Sequence, residues 1–152
     1  MATDIVTLDP GLTIGIAGLL DGERYLANQL VPLEYPHPHE TVFDVLSELA
    51  PKKIIYERFD FRAAKNGAVL TGVEFIGIIE FYAQVKCIEV LKMSASDGKA
   101  FWNDNKLRML GLYHRGKPHA NDATRILLTH RMKTEPDWMK STTEFLHDQL
   151  VK

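Results

Sequence analysis

The sequence predicts an α/β three-layer domain, a mixed five-stranded sheet with helices on both faces, and three observations lead there. Three short β-branched runs follow one another near the N-terminus, two later runs are separated by helical stretches, and Asp21-Gly22 stands between the second and third runs. Runs joined by a tight turn make an antiparallel meander, whereas strands joined through helices pair in parallel by right-handed crossovers. Such a sheet is covered by helices on each side.

Asp4 to Leu8, Leu12 to Leu20 and Glu23 to Leu33 supply the meander. A Pro-rich loop, Glu34 to Glu40, leads to Thr41–Leu49, where Val42, Val45, Leu46 and Leu49 follow helical spacing. Lys52 to Glu57 is the fourth strand and Ile88 to Leu91 the fifth, with a long helix from Ala68 to Gln84 between them. Helices over Asn103–Leu112, Pro118–Arg131 and the last dozen residues complete the chain, residues 134–152 being a C-terminal helical extension. With 152 residues, 45% of them apolar, one self-sufficient core and a single domain over 1–152 are expected. No uncharged run approaches the about 20 residues of a bilayer span, so no membrane association is expected. The start, Met-Ala-Thr-Asp, carries no signal-peptide pattern, and a single cysteine, Cys87, cannot form an internal disulfide; a reduced, cytoplasmic protein is expected.

The helix over 68–84 carries only Glu74 and Glu80, about 120° apart around its axis, so most of its circumference is apolar. A helix of that kind needs cover on two sides and a sheet supplies one. The C-terminal helix of the same chain or the same helix of a second copy, a homodimer seam, would supply the other.

A net charge of −2 hides an asymmetry. Between Met93 and Lys133 eight basic side chains stand against three acidic ones, a net of +5, which leaves −7 for the remainder. A basic segment on an acidic protein is either a set of solvated helix faces or a surface for a polyanion such as nucleic acid.

Several acids fall where chemistry assembles. Asp9 ends the first strand before Pro10-Gly11, and Glu57 ends the fourth before Arg58-Phe59-Asp60-Phe61. The C-terminal edge of parallel strands is where sites form in open α/β sheets, although either acid alone is equally a turn or surface residue. His119 and Asp122, at i and i+3 behind Pro118, share a face of a helix's first turn, and Ala120 and Ala123 keep that face slim. Three carboxylates form a hard-oxygen set suited to Mg²⁺ or Mn²⁺ rather than zinc. His37-Pro38-His39, with no cysteine nearby, reads as loop sequence.

Taken together, Asp9-Pro10-Gly11, Tyr56-Glu57-Arg58-Phe59 and His119-Ala120-Asn121-Asp122-Ala123 resemble the motifs of RuvC-type Holliday junction resolvases, in particular the short phage versions, within the ribonuclease H-like superfamily. The resemblance spans about Asp4 to Arg131 and agrees with the element order. It implies a ribonuclease H-like fold and a catalytic set of Asp9, Glu57, His119 and Asp122, with Asp9, Glu57 and Asp122 as metal ligands. His119 stands where some relatives carry a further carboxylate and others a histidine, so its role as ligand, phosphate donor or structural group stays open.

The implied reaction is phosphodiester hydrolysis with two Mg²⁺ ions, Mn²⁺ substituting, which lower the pKa of the attacking water and neutralise the leaving oxygen. Products with 5′-phosphate and 3′-hydroxyl ends follow from the same resemblance. For DNA contact, Lys106 is the closer match to the family's functional lysines and Lys99 the looser; Arg108 accompanies them. Arg115 and Lys117 precede His119 in a Gly-containing loop, placed to hold phosphates. Phe59 and Phe61 could stack on unpaired bases at a branch point, or pack in the core. Trp102 reads as core. The expected activity is therefore a crossover junction endonuclease acting as a homodimer on four-way DNA junctions in recombination or replication, in a bacterial host's cytoplasm if phage-encoded. A nuclease of flaps and forks, a ribonuclease H, and an idle nucleic-acid-binding module are the alternatives, and the last predicts loss of an acid that this chain retains.

Overall fold

The computed structural model describes residues 2–58, 67–94 and 100–152. Five strands are formed: β1 (Ile5–Asp9), β2 (Ile14–Leu20), β3 (Arg24–Leu30), β4 (Lys53–Glu57) and β5 (Glu89–Met93), in the sheet order β3-β2-β1-β4-β5. β1, β2 and β3 pair antiparallel, while β1–β4 and β4–β5 pair in parallel. This is the mixed sheet that the sequence predicts. Asp21 and Gly22, at φ 53° and 71°, turn β2 into β3, and two consecutive positive φ values are what a two-residue hairpin of matching twist needs.

The helices are α1 (Pro38–Leu49), α2 (Gly67–Lys86), α3 (Asp104–Met109), α4 (Pro118–Thr134) and α5 (Pro136–Val151). The apolar periodicity of α1 places its start three residues late, because Pro38 at the first helical turn extends it backwards. By contrast α3 ends earlier than its sequence pattern. Gly111, at φ 70°, reverses the chain, and the Leu112 amide closes on the Leu107 carbonyl at 2.8 Å.

Strand alternation divides the side chains between two layers. On one face Val6, Leu8, Ile14, Ile16, Ile54 and Tyr56 pack with Val42 and Leu46 of α1 and with Phe75, Ile79, Tyr82 and Ala83 of α2. Tyr56 Oη donates to Glu80 Oε1 at 2.6 Å, and burial together with that carboxylate raises the phenol's pKa. On the opposite face Ala17 and Leu19 pack on Ala123 and Leu127 of α4. Beyond α4 a second apolar group joins Trp102, Leu107, Leu128 and Leu146, which brings α3 and α5 onto its outer side. Trp102 is fully buried, as its sequence context suggests. No helix of the described residues is long and apolar enough to cross a membrane.

The second cover of α2 is not the C-terminal helix. α1 packs beside α2, whereas α5 lies on the other side of the sheet with α3 and α4. Leu70, Phe81 and Val85 of α2 remain exposed at 69%, 56% and 53%, while Ile79 is completely buried. Any seam on α2 therefore runs along the Leu70, Phe81 and Val85 face and excludes Ile79.

A buried cation ties the hairpin to the helices. The Arg131 guanidinium donates to both Glu135 carboxylate oxygens at 2.7 and 2.9 Å, to Tyr25 Oη at 2.5 Å and to the Gly22 carbonyl at 3.2 Å. It also lies 4.6 Å from the Trp138 ring centre on α5. Removing one partner of a buried pair strands the groups it served, at a cost of about 3 kcal/mol. Arg131→Leu should lower the unfolding free energy by about that amount, measured as a reduced urea midpoint with an unchanged slope.

Candidate active site

β1 and β4 are adjacent and parallel with Leu8 beside Tyr56, so Asp9 and Glu57 end neighbouring strands at the same level. Neighbouring strands lie about 4.8 Å apart. Their side chains share a face. Thr7 Oγ1 donates to the Ala123 carbonyl of α4 at 2.7 Å, and Asp9, two residues on, points the same way. Tyr56 reaches Glu80 on the α2 side, so Glu57 points opposite, towards α4. Both acids are only partly exposed, and Glu57 Oε2 is shielded from solvent.

α4 brings its N-terminus to them. His119 Nδ1 lies 3.3 Å from Asp9 Oδ2, and the first turn of a long helix presents its positive end to both carboxylates. This approach requires a glycine. Gly15, the cross-strand partner of Asp9 on β2, lies under the His119 peptide, and a Cβ there would collide with the His119 carbonyl. Glycine inside an otherwise apolar strand, as in Leu-Thr-Ile-Gly-Ile, is the sequence signal for such close backbone contact.

Asp122, one turn further on, is held differently from the other acids. Its Oδ1 accepts from Arg125 Nη1 at 2.7 Å. Arg125 also donates through Nε to the Trp102 carbonyl at 2.7 Å and pairs closely with Asp104. Asp122 is thereby linked through one guanidinium to the start of α3. Among the described residues no group of three or more His, Cys, Asp or Glu is gathered so that it could hold a metal ion. The donor chemistry still fits a hard divalent cation: two carboxylates end neighbouring strands on one face, and the His119 imidazole lies beside one of them. Asp9 and Glu57 are the carboxylates that would hold such an ion, whereas Asp122 is held by Arg125.

The basic residues divide into two groups. Lys106 Nζ donates to the Phe101 carbonyl at 2.9 Å and sits 3.6 Å above the Phe101 ring centre, and Lys117 Nζ donates to Asn28 Oδ1 on β3 at 3.0 Å. Arg108 instead stacks on Tyr113, and Arg115 makes no ion pair with any described residue. Lys99, Phe59 and Phe61 lie outside the described residues.

Gly15, Asn121 and Arg125 are absent from the sequence-based set. Asn121 is 3% exposed and grips the His114 peptide from both sides, accepting from its amide at 2.8 Å and donating to its carbonyl at 3.0 Å. That clamp fixes the loop that carries Arg115 and Lys117 against α4. The spacing of Arg125, three residues after Asp122 on a helix, was the available signal for its ion pair.

Comparison with solved structures places this arrangement in a known fold. RuvC of Thermus thermophilus in complex with a Holliday junction substrate superposes with a TM-score of 0.63 at 19% identity, over 86% of this chain and 95% of that one. A second Thermus thermophilus RuvC structure gives 0.62 at 21% identity, over 86% and 96%. No family model matches the sequence, and no curated protein matches it. The chain has the RuvC-type, ribonuclease H-like fold.

Gly15→Ala should cost about 3 kcal/mol, because the Cβ meets backbone rather than a movable side chain. Chemical denaturation checks the loss. Unchanged stability would mean that α4 does not depend on this contact.

Proposed function

We propose that the chain is a metal-dependent endonuclease of branched DNA, resolving four-way junctions by paired nicks as a homodimer. The observation that carries the reading is the pairing of Asp9 and Glu57 at the ends of adjacent parallel strands, on the face where α4 delivers His119. The junction substrate is supported by the fold shared with a RuvC that was solved with that substrate.

Asp9, Glu57 and Asp122 bind two Mg²⁺ ions in this reading. When bound, such ions activate water and stabilise the leaving oxygen. His119 directs Nδ1 to Asp9, which fixes the ring and leaves Nε2 as the atom to donate a hydrogen bond to the phosphate or the attacking water. Lys117 and Arg115, on the loop that Asn121 fixes, hold the flanking backbone. Arg125 orients Asp122 and keeps its charge balanced before the substrate arrives. Lys106, Arg108 and Lys99 extend the phosphate contacts, and Phe59 and Phe61 stack on unpaired bases. The dimer forms through α2 along Leu70, Phe81 and Val85, which relates two sites by one twofold axis to match the two symmetric strands of a junction.

The test is Mg²⁺-dependent cleavage of a four-way junction, three-way junction, flap, duplex and RNA–DNA hybrid. Paired symmetric nicks confined to the four-way junction are expected; cutting of flaps or the hybrid instead would transfer the activity to another branched or hybrid substrate. Asp9→Asn, Glu57→Gln and Asp122→Asn should each reduce cutting by about 10³-fold, the equivalent of about 4 kcal/mol of transition-state stabilisation. Junction binding should persist. Full activity in Asp122→Asn would remove it from the site.

For the dimer, Phe81→Glu should shift sedimentation towards monomer at micromolar concentration without loss of helical signal. A monomeric wild type would overturn the seam.

A further inference from the structure

Two cavities adjoin at Tyr113. One, of about 300 Å³, is lined by Lys117, Asn121, Asp122 and Arg125 among others and lies against the candidate catalytic acid. Its neighbour, of about 480 Å³, is lined by Arg108, Gly111, Tyr113 and Arg115, with no acid among the described residues that line it. The second cavity has the size of a small-ligand site and two cations facing it.

Those cations are held but not neutralised. Arg108 lies 4.1 Å from the Tyr113 ring centre, a cation–π contact in which the ring supports the guanidinium. Among the described residues its acidic neighbour is Asp104, which is 3.9 Å away and is engaged more closely by Arg125. Arg115 makes no ion pair with any described residue, and its loop is fixed by the Asn121 clamp on His114. Lys106 and Lys117, by contrast, donate to oxygens of their own chain. A guanidinium on an aromatic support, with a second arginine lining the same cavity, suits a tetrahedral oxyanion.

We propose that Arg108 and Arg115, with Tyr113 as the support, clamp a single backbone phosphate of the DNA strand where it leaves the carboxylate site. The clamp rests on the nuclease reading for its DNA substrate. Contiguity of the two cavities supplies the path: a strand with its cleaved phosphate beside Asp122 passes Lys117 and crosses Tyr113 to reach the clamp. The clamp then sets which phosphate enters the site without reading base sequence.

Binding of a labelled four-way junction, measured by anisotropy without divalent metal from about 50 to about 200 mM salt, tests this. Each phosphate neutralised contributes about 0.9 to the slope of log K against log salt. The double variant Arg108→Gln with Arg115→Gln should flatten the slope by about 0.9 in total, and each single variant by less than that, because both arginines serve one phosphate and either alone still contacts it. Tyr113→Leu should weaken binding several-fold with the slope retained, since the charges remain. Lys140→Gln on α5, an exposed residue, is the control and should match wild type.

A double variant with the wild-type slope overturns the clamp, and a loss of about 1.8 overturns the shared phosphate in favour of two separate contacts. Far-UV circular dichroism checks that the variants fold. If the wild type shows the arginine-dependent slope yet cuts no junction with Mg²⁺, the nuclease reading fails and the clamp stands. Cutting by a wild type whose double variant keeps its slope gives the converse. A wild type that binds no DNA overturns both.

Discussion

The seating of α4 on the sheet is the contact on which the rest depends. Gly15 lets the His119 peptide lie against β2, and Thr7 Oγ1 bonds the Ala123 carbonyl one turn on. Alanines at 17, 120 and 123 are all fully buried between helix and sheet. Small side chains bring the two backbones close, and closeness is what places the helix's first turn beside Asp9. A larger residue at any of these positions would lift the N-terminus of α4, and with it His119 and Asp122, away from the strand ends.

Outward from α4, polar groups extend the same positional control. Asn121 points to the preceding loop and Arg125 to the start of α3, so one helix organises the acids on one side and two basic segments on the other. A buried Asn that grips a peptide from both sides leaves neither of its own polar atoms unsatisfied. Further along, Arg131 connects the same helix to the hairpin and to α5. The three polar contacts are spaced along α4 so that its whole length is tied down, which suits an element that must hold acids in fixed positions.

The charge asymmetry of the chain acquires a spatial meaning here. The residues that make 93–133 basic do not form a uniformly solvated face. Among the described residues Lys106 and Lys117 are partly spent on carbonyl and amide oxygens, Arg125 and Arg131 are committed to acids, and Arg108 and Arg115 line a cavity together. A linear count of charges cannot make that distinction, because the partner of each cation is set by tertiary neighbours.

The sequence by itself determined the element order, the hairpin at Asp21-Gly22 and the positions of Asp9, Glu57, His119 and Asp122 on their elements, because these follow from local periodicity, turn chemistry and helix-start signals. It also pointed to α2 as an unusually apolar helix. The tertiary structure decided the rest. That α1 rather than α5 covers α2 depends on which side of the sheet each crossover takes, and no local pattern records it. That Asp122 is shared with Arg125, that Asn121 is a loop clamp and that Gly15 admits α4 depend on residues up to about a hundred positions apart meeting at one sheet edge. Periodicity tells which face of an element is apolar; only packing tells what that face meets.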